Sequence, residues 1–122
     1  MLDHVTIGVG DFARARAFYD AALAPLGITR IATDGALFAG YGVPPQAFFW
    51  IGARDAIHTG THIAFTAKDR ATVDAFHRAA LAAGGRDNGA PGLRPQYHGS
   101  YYGAFVLDPD GHNVEAVCHR PS

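Results

Sequence analysis

The sequence holds a single cysteine, Cys118, among 122 residues. One thiol closes no internal disulfide and builds no thiolate metal cluster. An excess of one charge is also missing. Ten Lys and Arg stand against eleven Asp and Glu, a formal charge of −1, which leaves no electrostatic footprint for nucleic acid or an anionic membrane. No stretch approaches the roughly 18 apolar residues of a membrane span. The start, Met1-Leu-Asp-His-Val-Thr, lacks the basic and apolar pattern of a secretory leader, so the expected setting is the reducing cytoplasm. Gly8-Val-Gly10 lacks the third glycine of a dinucleotide fingerprint, and no phosphate loop or Ser/His/Asp arrangement stands out. No low-complexity tail is present, and the length suits one domain over residues 1–122. Histidine is what the chain has in plenty: seven, beside one lysine.

The chain repeats itself once. Displaced by 58 residues, His4–Gly27 falls on His62–Gly85. The shared alanines carry little information in an alanine-rich chain, but His4/His62, Asp11/Asp69, Phe18/Phe76, Leu23/Leu81 and Gly27/Gly85 sit where structure would place them. Residues 4–9 alternate, Val5, Ile7 and Val9 against His4, Thr6 and Gly8, which predicts a half-buried strand. Asp11 stands at an N-cap position. Phe12, Ala15, Phe18, Tyr19, Ala22, Leu23 and Leu26 form a helical stripe that Pro25 and Gly27 end. The second copy reads as a strand at 62–67, a cap at Asp69, and a stripe of Val73, Phe76, His77, Ala80 and Leu81, ended by Gly84-Gly85.

Short apolar runs follow each helix: 28–33, 36–41 and 47–51 in the first copy, a weak run at 86–88, then 101–107 and 113–118 in the second. Asp108-Pro109-Asp110-Gly111 is a strong turn signal. The later strands align at an offset near 65, because the second copy carries a longer loop at 89–100. Loops are also expected at 43–46 and 53–60. The result is an α+β protein of two βαβββ modules, about 1–55 and 60–119.

His4 and His62 hold one position of equivalent strands, on the face opposite the apolar residues. In the last strand Val114, Ala116 and Cys118 alternate with Asn113, Glu115 and Val117. Glu115 is a carboxylate in an otherwise apolar strand, and a buried carboxylate needs an arginine, a proton or a metal. Two imidazoles and one carboxylate match the ligand set of a facial triad. Hydrogen-bonded core histidines are the plainer alternative.

His4-Val5, Asp11, Phe18-Tyr19, His62-Ile-Ala-Phe and Asp108-Pro-Asp-Gly-His-Asn-Val-Glu115 resemble the vicinal oxygen chelate superfamily of glyoxalase I, fosfomycin- and bleomycin-resistance proteins and extradiol dioxygenases. The tract from Asp87 to His98, with Tyr101-Tyr102, resembles a glyoxalase-like bacterial branch. The resemblance implies paired βαβββ modules curling a mixed sheet around a cleft, often completed by a second subunit, hence a homodimer. It also implies a divalent ion (Fe, Mn, Ni or Zn) on His4, His62 and Glu115, acting as a Lewis acid on a small substrate with adjacent oxygens. The fourth glyoxalase ligand position falls, by module symmetry, on Trp50, which has no lone pair for a metal. Glutathione-hemithioacetal isomerisation is thereby disfavoured, and lyase or isomerase, thiol-transferase and dioxygenase chemistry stay open.

Other candidates follow from position. His98 lies on the longest loop and suits a general acid or base near neutral pH, or is a surface histidine. Trp50, Arg94, Tyr97 and Tyr102 are candidate substrate contacts: Trp50 an apolar wall, Arg94 a partner for an anion or for Glu115 if no metal is bound, and the tyrosines, Tyr101 among them, cleft lining or strand packing. His77 reads as helix packing. His58, His112 and His119 read as solvated, and Cys118 as a buried structural thiol. The alternative function is metal-free sequestration of a small compound, as in bleomycin-resistance proteins, with aromatic residues dominant and Glu115 paired with arginine.

Overall fold

The computed structural model describes residues 2–53 and 59–122. His58 and most of the expected 53–60 loop lie outside the described residues. Each repeat forms the expected βαβββ unit. The first is β1 (Val5–Val9), α1 (Phe12–Leu23), β2 (Thr29–Asp34), β3 (Phe38–Val43) and β4 (Gln46–Ala53). The second is β5 (His62–Thr66), α2 (Arg70–Ala82), β6 (Arg86–Leu93), β7 (Tyr102–Leu107) and β8 (Asn113–Cys118). The strands form two separate four-stranded mixed sheets of identical topology, β1-β4-β3-β2 and β5-β8-β7-β6. In each, the first strand pairs in parallel with the last.

Local chemistry sets the helix ends. The Asp11 carboxylate accepts from the Arg14 amide at 3.1 Å, and Asp69 accepts from the Thr72 amide at 2.7 Å, each satisfying a first-turn donor without a helical partner. A short 3₁₀ turn, Ala24–Leu26, tightens the end of α1 around Pro25. Gly27 then takes φ +76°, a left-handed value that only glycine adopts cheaply.

Three expectations change. The weak run at 86–88 is the start of a strand reaching Leu93; Gly89, Pro91 and Gly92 hide it, and pairing with β7 through irregular register holds it. Between β3 and β4 only Pro44 and Pro45 intervene, a tight turn instead of a loop over 43–46. Leu81, expected in the buried stripe of α2, is 37 % exposed.

The two modules share one core. Phe49 of β4 meets Phe65 of β5 edge to face, with ring centroids 5.3 Å apart, and Tyr19 packs on Phe49 at 5.0 Å. Phe18, Phe76, Val73, Val106 and Val114 complete the same cluster. A Cβ on Gly85 would come within 2.6 Å of the Phe18 ring and 2.5 Å of Val106, so glycine there lets α1 lie against the second module.

Hydrogen bonds tie the modules as well. The Tyr19 hydroxyl donates to Asp108 at 2.6 Å, the Gly10 amide donates to Asp110 at 3.0 Å, and His112 Nε2 donates to the Gly8 carbonyl at 3.1 Å. His112 is therefore not the solvated loop residue its neighbours suggest. It is fully buried, its own amide donating to Asp108, because the turn that carries it is pressed against β1.

Candidate functional site

Strand register assembles the site. Ala64 of β5 lies opposite Glu115, and His62 opposite Asn113. Alternation then puts His62, Ala64 and Thr66 on one face with Asn113, Glu115 and Val117, while Val114, Ala116 and Cys118 enter the core. His62 Nε2 comes to 2.9 Å from Glu115 Oε1. Glu115, the only glutamate in the chain, is 1 % exposed. A carboxylate this buried is costly without partners, and it has two: His62, and the Tyr101 hydroxyl, which donates to Oε2. A Cβ on Gly103 would meet the Tyr101 ring at 3.2 Å and Glu115 Oε2 at 3.3 Å, so the bare glycine makes room for that bond. Burial, and then the bond to Glu115, raise the Tyr101 phenol above its ordinary range. It thus stays a donor through alkaline pH.

Behind Tyr101 stands a pair of stacked imidazoles. The Ser100 amide donates to His98 Nδ1 at 3.0 Å, so the ring proton sits on Nε2, which donates to His119 Nδ1 at 2.8 Å. Both rings meet Tyr101 edge-on, at 5.5 and 5.4 Å, and Tyr97 packs on Tyr101 from 4.8 Å. His98 thus backs Tyr101 and does not reach His62 or Glu115. His119 is exposed, as expected, but held. Nothing in its terminal position signals this, since its partner comes from the 94–101 loop.

The remaining candidates divide by face. The Arg94 guanidinium lies over the Phe105 ring at 5.4 Å, and Phe105 is the cross-strand neighbour of Glu115. The Tyr102 hydroxyl instead donates to Asp74 of α2 at 2.7 Å, with Arg70 5.2 Å over its ring, which turns it away from the Glu115 face. His77 packs on the helix side and meets Asp87 at 2.9 Å. Cys118 is a buried free thiol facing the core. Trp50 lies on the corresponding face of the first sheet, opposite Thr6 and Gly40.

His4 precedes β1, with its Nδ1 2.6 Å from Asp3 Oδ1. A carboxylate on Nδ1 fixes the tautomer and leaves the Nε2 lone pair free, an arrangement common among metal-ligating histidines. His4 and His62 both border a cavity of about 620 Å³, which Val5, Phe48, Ile63 and Phe65 also line. Within one chain, however, His4 does not join His62 and Glu115: among the described residues no three His, Cys, Asp or Glu side chains come close enough to hold a metal together. Nor is any described helix long and apolar enough to cross a membrane.

A family model described as the Glyoxalase/Bleomycin resistance protein/Dioxygenase superfamily matches residues 1–116. A glyoxalase/bleomycin resistance protein from Albidiferax ferrireducens T118 is 32 % identical, with a TM-score of 0.83 over 98 % of this chain and 99 % of that one. Two further structures share the fold at lower identity. A glyoxalase-related enzyme from Fulvimarina pelagi is 18 % identical, with a TM-score of 0.76 over 97 % and 87 % of the chains. A glyoxalase/bleomycin resistance protein/dioxygenase family enzyme from Burkholderia phytofirmans PsJN is 21 % identical, with a TM-score of 0.75 over 97 % and 98 %. No curated protein matches the chain.

Proposed function

Since the chain belongs to the glyoxalase/bleomycin resistance protein/dioxygenase superfamily, we propose that it is a divalent-metal-dependent enzyme acting on a small substrate with adjacent oxygens. His62 and Glu115 hold the ion, and His4 completes the set. The observation that carries this reading is the His62–Glu115 pair. An imidazole nitrogen and a carboxylate oxygen 2.9 Å apart on one face suit neighbouring ligands of an ion with bonds of about 2.0–2.2 Å. The donors also suit Fe, Mn, Ni or Zn by type. When bound, the ion supplies Lewis-acid polarisation of the substrate oxygens.

The chain's own residues prepare that site. Tyr101 holds Glu115 Oε2, which leaves Oε1 turned to His62. Asp3 orients His4. Because His4 stands apart from the pair in one chain, the set closes across a homodimer, His4 of one copy meeting His62 and Glu115 of the other. Apolar Leu2 and Val43, 86 % and 56 % exposed beside His4, suit burial in such an interface. His98 then positions Tyr101, and Trp50, Arg94 and Tyr97 line the substrate's surroundings in a cytoplasmic protein. Metal-free sequestration would pair Glu115 with arginine. Its partners are instead His62 and Tyr101, which favours the metal.

The test is metal content and complementation. Untagged protein should carry about one ion per chain, and His4→Ala, His62→Ala and Glu115→Gln should each lose it. Mixed dimers of His4→Ala with Glu115→Gln should regain one site in two. Negligible metal in wild type and His62→Ala alike would overturn the reading.

A further inference from the structure

The guanidinium of Arg94 is built into the face that carries Glu115. Across the second sheet, Ala64, Glu115, Phe105 and Gly89 form one row of paired residues on β5, β8, β7 and β6. Gly89 has no side chain, and the guanidinium fills its place: a Cβ on Gly89 would lie 3.1 Å from Arg94 Nη2, and one on Gly92 3.2 Å from Nη1. Two carbonyls fix the group, Gly92 accepting from Nη1 at 2.9 Å and Ala90 from Nη2 at 2.7 Å. The Phe105 ring lies beneath it. Among the described residues, three of the five N–H donors of this arginine then have no protein acceptor, and no carboxylate lies within 4.0 Å of its charge.

A fixed, partly buried and unpaired guanidinium has already lost most of the side-chain freedom that binding would cost it, and its geometry matches an oxyanion. Its place in the row matters as much. Two strand spacings, about 10 Å, separate it from the Glu115 position, and both His62 and Arg94 lie near the Phe105 ring, at 6.1 and 5.4 Å. With a divalent ion set against one carboxylate, and Arg94 beside it, the face is positive.

We infer that Arg94 is an anion-binding position, and that the substrate is a small acid. Its chelating oxygens lie at His62 and Glu115, its carboxylate-type group lies at Arg94, and about one ring's width separates the two. The ligand's chelating end rests on the metal reading above; the anion site stands on the Arg94 geometry alone.

Two probes that differ by one carboxylate, catechol and 3,4-dihydroxybenzoate, test this by calorimetry on nickel-loaded protein. Wild type should bind the acid about tenfold or more tightly, the range of charge-assisted hydrogen bonds, and folded Arg94→Gln should lose that preference. Equal affinities in wild type, or a preference that survives Arg94→Gln, would overturn the anion site and leave the metal reading standing. If neither probe binds and no nickel is retained, the metal reading fails, and metal-free wild type decides the anion site. Benzoate, and not benzamide, should then shift the Arg94 Nε–Hε resonance saturably; no such shift would overturn it.

Discussion

Trp50 and Glu115 occupy the same position of their two modules. Trp50 lies opposite Thr6 of β1 and Gly40 of β3, as Glu115 lies opposite Ala64 of β5 and Phe105 of β7. Large and small have traded places. In the first sheet the indole covers a glycine, and in the second a carboxylate stands beside a phenylalanine. A Cβ on Gly40 would fall 2.7 Å from the indole.

Gly40→Ala should therefore displace Trp50. The expected cost is about 1–3 kcal/mol, the usual range for overpacking. Trp50 is the only tryptophan, so its emission should shift with the displacement, and adding Trp50→Phe should restore most of the stability. Unchanged emission and melting in Gly40→Ala would contradict the packing described.

Tyr101→Phe should weaken metal binding about 10–100-fold, as loss of a group that orients a ligand does, while leaving the fold intact. The readout is nickel affinity by competition with a chelator. Wild-type affinity in Tyr101→Phe would remove the positioning role.

Alkaline stability should depend on Tyr19 and Tyr41. Burial first, and then Asp108, raise its phenol well above 10.0, and Tyr41 is raised in the same sense by burial and Asp20. The folded protein holds these protons more tightly than the unfolded chain. Their contribution is complete below pH 10 and is lost as pH rises through the folded values. The melting temperature should fall above about pH 10, and Tyr19→Phe should lower the neutral melting temperature but flatten that fall. A wild-type melt that stays level to about pH 11 would refute this.

His112→Ala should cost about 2–4 kcal/mol, because it leaves a void and an unpaired Gly8 carbonyl in a closed junction. His119→Ala, at an exposed position, should cost under about 1 kcal/mol. Denaturant titration of both separates them, and similar midpoints would show that the junction does not hold the modules.

The fold was legible where local and tertiary signals coincide. Asp11 and Asp69 cap helices whose stripes, Leu81 apart, recur on the buried side, and the strand alternation that singles out His62 and Glu115 is the alternation of the folded sheet. What was illegible depended on contacts formed only after folding. His112 is buried by a carbonyl 104 residues away. β6 is a strand because β7 pairs with it, despite Gly89, Pro91 and Gly92. Tyr101 reads as cleft lining or strand packing, like its neighbours, until the chain returns to bring Glu115 against its hydroxyl. Tyr102, one residue on, faces the other way, and residue spacing alone does not tell which of two adjacent tyrosines crosses to the helix.

The shared core has a consequence for truncation. With Phe49 against Phe65, and the Asp108–His112 turn bonded to Gly8 and Gly10, each copy covers the other's apolar surface. Removing either half would expose that surface of the other to water. The sequence reads as a repeat of two units, but the folded chain is one unit that cannot be halved.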